Sequence, residues 1–441
     1  MSVILVEKEL LGGVCLNWGC IPSKAMIEVA GLKHHLSKVA EIGLSVHEIS
    51  VDLPQMHQWK DLLVLKLRGS IENLLKKNDV TVVQGVARFH APGKLAVSTK
   101  EGLQHFEFKN AIIATGSSPI EIPGFPMDGE LVIDSTGALS LATVPKHLLV
   151  VGAGSVGLEL ATVYRNLGAE VTIVELQEKL LPTIEPELSR VLEKSLKKIG
   201  INLVLGASVE TMTRNGQLAE VVYSRQNQQK KLVVDKILVA VGRRPNSSDL
   251  GLDRLGLTTD SKGFITVNER LETEVKGIYA IGDIVAGPML AHRASHMGKI
   301  AAEVIAGKPA AFDNFAIPGI IFSDPEIATV GLTEAEAQLR DYEVKTGAFP
   351  FRALGRALTL GETEGLTKIV SDAASGTVLG VHIIGPHASD LIGEGTLAVE
   401  SAAHIDDLPL TIHAHPTLAE GIMEASEALE NKAIHIFTPS K

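Results

Sequence analysis

Two short stretches of this 441-residue chain occur twice, and a repeat restricts what a chain can fold into more than any single motif does. Val3-Ile-Leu-Val-Glu7 is echoed by Val171-Thr-Ile-Val-Glu175, each reading as a buried strand that ends in an acid. Ala111-Ile-Ile-Ala-Thr-Gly-Ser-Ser-Pro119 is echoed by Ile237-Leu-Val-Ala-Val-Gly-Arg-Arg-Pro245, which sets Gly116 against Gly242 and Pro119 against Pro245. The expectation is two related nucleotide-binding α/β domains, one after the other.

The second copy has its entry intact. An aliphatic strand over residues 146–152 runs into Gly152-Ala-Gly-Ser-Val-Gly157 and an amphipathic helix to about Gly168. A strand over residues 169–174 then delivers Glu175, about 20 residues after the glycines. Strand, glycine loop, helix, strand and acid in this order form a dinucleotide-binding fingerprint. Gly152, Gly154 and Gly157 permit a tight turn and close approach of backbone to a pyrophosphate at the helix N-terminus. Glu175 would accept the ribose hydroxyls and repel a 2′-phosphate, which selects NAD over NADP. In the first copy, the same spacing counted back from Glu7 reaches past Met1. That domain is therefore expected to lack its first strand and phosphate loop, as if the chain were truncated. Further on, residues 273–283 form an apolar strand ending in Gly282-Asp283, followed by a helix over about 292–306. After Pro309 short alternating strands, over 367–370 and 378–384, separated by helices, indicate an α+β terminal domain.

Composition narrows the class of partner. With 45% hydrophobic and 21% charged residues the chain can bury several cores, and few aromatics with 41 glycines suit parallel-sheet α/β structure. A formal charge of −11 works against nucleic acid or an anionic membrane. No apolar run reaches the roughly 18 residues a membrane span needs, and Glu7, Lys8 and Glu9 interrupt the start before a signal-peptide core forms. A soluble, cytoplasmic protein is expected, with an organelle matrix left open because a targeting segment would precede Met1.

The only two cysteines, Cys15 and Cys20, share one window between Gly12-Gly13 and Pro22. Residues five apart in a regular helix are separated by about 7.5 Å of rise, too far for a disulfide unless Gly19 or its neighbours break the helix. On spacing alone a redox disulfide at a helix N-terminus and two reduced bystanders both stand. No metal site is expected, since the nearest histidines are His34 and His35. Near the other end, His413-Ala-His-Pro-Thr-Leu-Ala-Glu420 places a histidine before a proline and a carboxylate five positions on. By itself that is either a surface turn or a base with its orienting acid. His413 reads as structural.

Gly12-Gly-Val-Cys-Leu-Asn-Trp-Gly-Cys-Ile-Pro-Ser-Lys24, taken with His413 to Glu420, closely resembles the flavin-dependent pyridine nucleotide-disulfide oxidoreductases, in particular their dihydrolipoamide-oxidising branch. The likeness runs over the whole chain and includes Ala114-Thr-Gly116, Gly242-Arg-Arg-Pro-Asn246, Ile281-Gly-Asp283, Met289-Leu-Ala-His292 and Asp324-Pro-Glu-Ile-Ala328. The resemblance implies an α/β fold of two Rossmann-like domains, for FAD and NAD, plus a C-terminal α+β dimerisation domain. Its boundaries would be 1–145 (FAD), 146–268 (NAD), 269–313 (return to the FAD domain) and 314–441 (interface). It implies that Cys15 is the interchange thiol, that Cys20 faces the flavin, and that Lys24 lies near the flavin and pairs with Glu159. Gly13, the turn Ala114, Thr115 and Gly116, Asp283, Ala291 and His292 would line the FAD site, with Glu7 on the adenosine ribose. Gly152, Gly154, Gly157, Glu175 and Gly242 would serve NAD. His415, oriented by Glu420 and contributed by the second subunit of a homodimer, would be the base. The implied reaction is oxidation of dihydrolipoamide on lipoyl domains of 2-oxo acid dehydrogenase or glycine cleavage complexes, with NAD+ reduced. Glutathione- or mercuric-reductase-like enzymes and a non-catalytic NAD-binding remnant are the competing readings. Two departures, Trp18 and Ser295-His-Met297, read as surface features.

Overall fold

The computed structural model describes residues 2–437; Met1, where the repeat spacing expects a preceding helix to end, lies outside them. The intact copy of the repeat is a five-stranded parallel sheet in the spatial order Asn202–Leu205, Glu170–Glu175, His147–Val151, Lys236–Val239, Val132–Ile133. The side chains of its strands alternate between two cores, as the two-residue period of a strand requires. Leu148, Val150, Ile173 and Leu238 meet the helix Ser155–Leu167, whose Leu158, Ala161 and Tyr164 are buried. Leu149, Val151, Val174 and Val239 face a three-stranded antiparallel sheet, Ala207–Asn215, Leu218–Arg225 and Gln228–Val234. Both faces are covered, which is why these strands read as unbroken aliphatic runs.

The first copy is built differently. Val3–Glu7 pairs in parallel with Val80–Gln84, and Ala111–Ile113 pairs in parallel with Ile278–Ala280, as two separate two-stranded sheets. The expectation that Val3–Glu7 is buried is corrected: Val3 and Ile4 are 48% and 43% exposed. With one ladder partner and no covering layer on that side, the strand's alternation has nothing to bury against. The other repeated segments meet directly. Ser117–Pro119 runs antiparallel to Arg243–Pro245, with Asn246 N–H donating to the Gly116 carbonyl (2.9 Å) and Ile120 N–H donating to the Gly242 carbonyl (3.1 Å). These two bonds occupy equivalent places in the two copies, so the repeat forms a pseudo-twofold ribbon linking the two domains.

The C-terminal part is a five-stranded antiparallel sheet, ordered Gly319–Ile321, Glu326–Gly331, Val378–Gly385, Leu366–Asp372, Val344–Pro350, with helices Ala388–Glu400 and Glu420–Leu429 packed on it. Leu410, Ile412, Ile434 and Phe437 nevertheless stand 77–96% exposed on this part. Its junction with the domain of the parallel sheet is partly apolar, through Ile327 and Ile384, and partly ionic: Lys368 Nζ, buried, bonds Glu185 Oε2 and Glu334 Oε2 at 2.8 Å each. Met297, expected on a variable surface, is fully buried within the helix Ala291–Ile305; only Ser295 and His296 face outward, as the helical period dictates. No helix among the described residues is long and apolar enough to cross a membrane.

Candidate active site

The cysteine pair sits where one helix ends and another begins. Gly13–Trp18 is a short helix, Gly19 breaks it with φ −133° and ψ −111°, and Cys20 is the first residue of the 17-residue helix Cys20–Leu36. The break brings the two Cα atoms to 4.7 Å, well inside the separation that a continuous helix would impose, and Cys15 and Cys20 are joined as a disulfide. A Cβ on residue 19 would lie 3.2 Å from the Cys15 Cα and 3.1 Å from the Val14 carbonyl, so glycine lets the chain fold back this closely. At a helix N-terminus the partial positive charge favours a thiolate at Cys20 once the bond is reduced.

One turn further on, Lys24 Nζ donates to Glu159 Oε2 at 2.8 Å and lies 4.3 Å above the ring of Phe322. The buried Glu159 accepts on its other oxygen from Phe322 N–H (3.0 Å), so three elements distant in sequence hold one ammonium in place. Glu159 therefore acts through Lys24. Sequence reasoning missed Phe322, whose only signal is its place just ahead of Asp324 and Pro325.

The histidine and the acid expected near the C-terminus also meet. His415 Nδ1 bonds Glu420 Oε1 at 2.8 Å, and Thr417 N–H donates to Glu420 Oε2 at 2.7 Å. Burial would raise the Glu420 pKa, but the Thr417 amide and His415 outweigh it and the net shift is downward. A carboxylate only accepts, so Nδ1 carries the proton and the Nε2 lone pair is free on a ring that is largely exposed. His413 instead bonds Glu394 (2.9 Å) and the Thr411 carbonyl (2.8 Å) and is buried, a structural role. Within one chain the dyad and the disulfide stand on elements with different packing neighbours. Helix Glu420–Leu429 packs on Val344–Pro350 and Leu366–Asp372, and Gly13–Trp18 packs on Cys20–Leu36 and Leu53–Lys77.

The nucleotide loops show why glycine is needed. A Cβ at Gly157 would lie 2.1 Å from the Gly152 carbonyl, and Gly152 itself has φ +101°. At Gly154 a Cβ would meet nothing within 4 Å, leaving open space for a ligand to approach the backbone. Glu175 closes the loop, accepting from Ala153 N–H (2.7 Å) and Gln177 N–H (2.8 Å), with lone pairs to spare for hydroxyls. Gly13 and Gly116, with φ +69° each, present equally bare backbone. Asp283 takes a bond from Ser117 Oγ (2.6 Å) on Oδ2, which leaves Oδ1 open, while Arg243 holds Ser117 in turn (2.7 Å). Thr115 Oγ1 donates to the Asn246 carbonyl, and Ala114 precedes it in the same turn. Gly242 lies in the ribbon described above. His292, at the start of Ala291–Ile305, bonds the Pro318 carbonyl (2.8 Å), and Glu7 Oε1 accepts from Glu9 N–H (2.9 Å). The donors and acceptors at the disulfide end of the first domain and around Gly154 thus fit a flavin ring and a dinucleotide.

Comparison with known proteins places this geometry. The family described as pyridine nucleotide-disulphide oxidoreductase matches residues 1–298, and its dimerisation domain matches residues 317–426. A dihydrolipoyl dehydrogenase of Thermus scotoductus is 47% identical over 440 residues, covering 99% of this chain and 94% of its own. One from Geobacillus stearothermophilus is 45% identical over 437 residues, covering 99% and 93%. Among solved structures, LpdA from Mycobacterium tuberculosis superposes with a TM-score of 0.90 at 29% identity, covering 97% of this chain and 94% of its own.

Proposed function

The chain belongs to the pyridine nucleotide-disulphide oxidoreductase family, and from that premise we propose that it oxidises dihydrolipoamide to lipoamide with NAD+ as the final acceptor. The observation that carries the reading is the Cys15–Cys20 disulfide at the head of a helix, in a chain that aligns along almost its whole length with dihydrolipoyl dehydrogenases. The dimerisation domain makes the working unit a homodimer.

His415 Nε2 takes a proton from one thiol of dihydrolipoamide, and the ion pair with Glu420 stabilises the imidazolium that results. The substrate thiolate attacks Cys15 Sγ, the Cys15–Cys20 bond breaks, and Cys20 leaves as a thiolate favoured by its helix. The second substrate thiol then attacks the mixed disulfide, closing the lipoamide ring and releasing Cys15. Two electrons now rest on the cysteine pair, with one proton on His415 and one on Cys15. The chemistry a bound FAD would supply is two-electron transfer between the dithiol and NAD+. Lys24, fixed by Glu159, would hold positive charge toward the flavin, and Asp283 and the turn 114–116 would hold its side chain. Glu175 and the bare backbone of Gly154 bind the NAD ribose and pyrophosphate. Because His415 and Cys15 stand on elements with different packing neighbours in one chain, His415 serves the disulfide of the partner subunit. Lipoyl domains of 2-oxo acid dehydrogenase or glycine cleavage assemblies are the substrate carriers.

The test is the visible spectrum of the purified protein before and after anaerobic dihydrolipoamide, followed by NADH release. A yellow protein that is reduced by dihydrolipoamide and makes NADH, with Cys15→Ser abolishing turnover, is the expected result. A colourless protein, or one reduced only by glutathione, overturns it.

A further inference from the structure

Between the two cysteines lies Asn17, 7% exposed, with every hydrogen-bonding valence of its side chain in use. Its Nδ2 donates to the carbonyls of Leu11 (3.0 Å) and Gly13 (2.9 Å), and lies 3.5 Å from that of Leu10. Its Oδ1 accepts twice from one guanidinium, from Arg68 Nε (3.0 Å) and Nη2 (2.7 Å). Arginine only donates, so the amide orientation is settled: the oxygen faces Arg68 and the nitrogen faces the glycine turn. Arg68 belongs to the 25-residue helix Leu53–Lys77, so Asn17 ties the turn that carries the disulfide to itself through its nitrogen and to a long, separate element through its oxygen. The guanidinium borders an open recess of about 360 Å³ lined also by Trp18, Lys60, Thr136 and Ser140. It is not filler of a closed core, and it makes a two-pronged bond that a lysine could not reproduce.

We propose that Arg68 is a positioning residue for the redox disulfide, acting through Asn17 to keep the two thiols in pairing distance after reduction. This rests on the functional reading above. While the Cys15–Cys20 bond is intact the turn is held covalently. Reduction adds two electrons and two protons, the bond opens, and the turn 13–18 is then held by hydrogen bonds. Whatever holds the thiols together in the reduced state raises their effective concentration and favours the disulfide. The clamp thus makes the pair harder to reduce and quicker to close again.

The holoenzyme is equilibrated at pH 7 with glutathione and its disulfide, free thiols are alkylated, and the protein mass is read. Two glutathione thiols supply the two electrons and two protons and leave as glutathione disulfide. The chain has only two cysteines, so the mass shift reports this bond alone. Arg68→Met and Asn17→Ala are each expected to move the equilibrium about tenfold toward the dithiol, about 30 mV, with no further shift in the double variant. Arg68→Lys keeps the charge and loses one prong, so about threefold is expected of it, and it carries the test if the other variants do not fold. An unchanged equilibrium in Arg68→Lys and Asn17→Ala overturns the proposal. So does a shift toward the disulfide in Arg68→Met, because the arginine would then act as a charge that favours thiolates. None of these readouts uses dihydrolipoamide, so a wild-type protein that fails to oxidise it would sink the functional reading and leave this equilibrium to be judged alone.

Discussion

Glu420 shows how closely the proposed chemistry is tied to one side chain. It orients His415 through Nδ1, and the net downward shift of its own pKa keeps it charged below the ordinary carboxylate range. A carboxyl whose folded pKa is depressed adds stability above its unfolded pKa, and that contribution is lost as pH falls through the folded value. Glu420→Gln can still accept from the ring but cannot balance an imidazolium. A fall in kcat of about 10²-fold with dihydrolipoamide is expected, while NAD+ affinity stays as it was. Stopped-flow reduction by the substrate reads this directly, and a rate within twofold of wild type would remove Glu420 from the mechanism. His413, one residue from Ala414 in the same motif, warns against reading histidines by neighbourhood: its ring is spent on Glu394 and Thr411.

At the scale of elements, the junction between the helix Pro186–Lys198 and the C-terminal sheet combines apolar packing with buried charge. Burial would lower the Lys368 pKa, but Glu185 and Glu334 more than offset it, so the ammonium stays charged. His382, on the strand Val378–Gly385, is the opposite case: burial pushes its pKa down and leaves the ring neutral, with Nε2 bonded to the Leu332 carbonyl (3.0 Å) and Nδ1 unpartnered. The unfolded chain takes a proton at this histidine below about pH 6.5 and the folded chain does not. The unfolded state therefore binds more protons, and stability must fall as pH drops below that value. His382→Gln should flatten this part of the dependence, so urea midpoints of wild type and variant should converge between pH 7 and pH 5.5. Parallel midpoints would show that the histidine does not titrate on unfolding. A helix break at one residue and a neutral buried ring are both element-level outcomes, set by what packs alongside.

In the whole molecule, the disulfide and the His415–Glu420 dyad stand on elements of one chain with different packing neighbours, and under the proposed function the dimerisation domain supplies the way to unite them. Leu410 and Ile412 stand exposed in that domain, and Ile434 and Phe437 just beyond it, apolar surface of the kind a second copy covers. Sedimentation should therefore give twice the 46.9 kDa of one chain. If the dyad serves the partner's disulfide, mixing Cys15→Ser with His415→Gln, each inactive alone, should restore about a quarter of wild-type activity after random subunit exchange, because one site in each mixed dimer is whole. No recovery from exchanged dimers would place both groups in one subunit's site. Local patterns were legible from residues alone. The repeat, the glycine loop with Glu175, and the aliphatic strands all answer to short-range rules of turn geometry and strand period. The sequence by itself thus determined the α/β class, the NAD-type loop and the residue types that do chemistry. Only the tertiary structure decided that Cys15 and Cys20 are bonded, since that depends on a single irregular glycine. It also decided that Val3 and Ile4 are exposed and Met297 is buried, and that Phe322 and Arg68 reach Lys24 and Asn17. Burial and long-range hydrogen bonds depend on which elements end up side by side, and no local pattern records that.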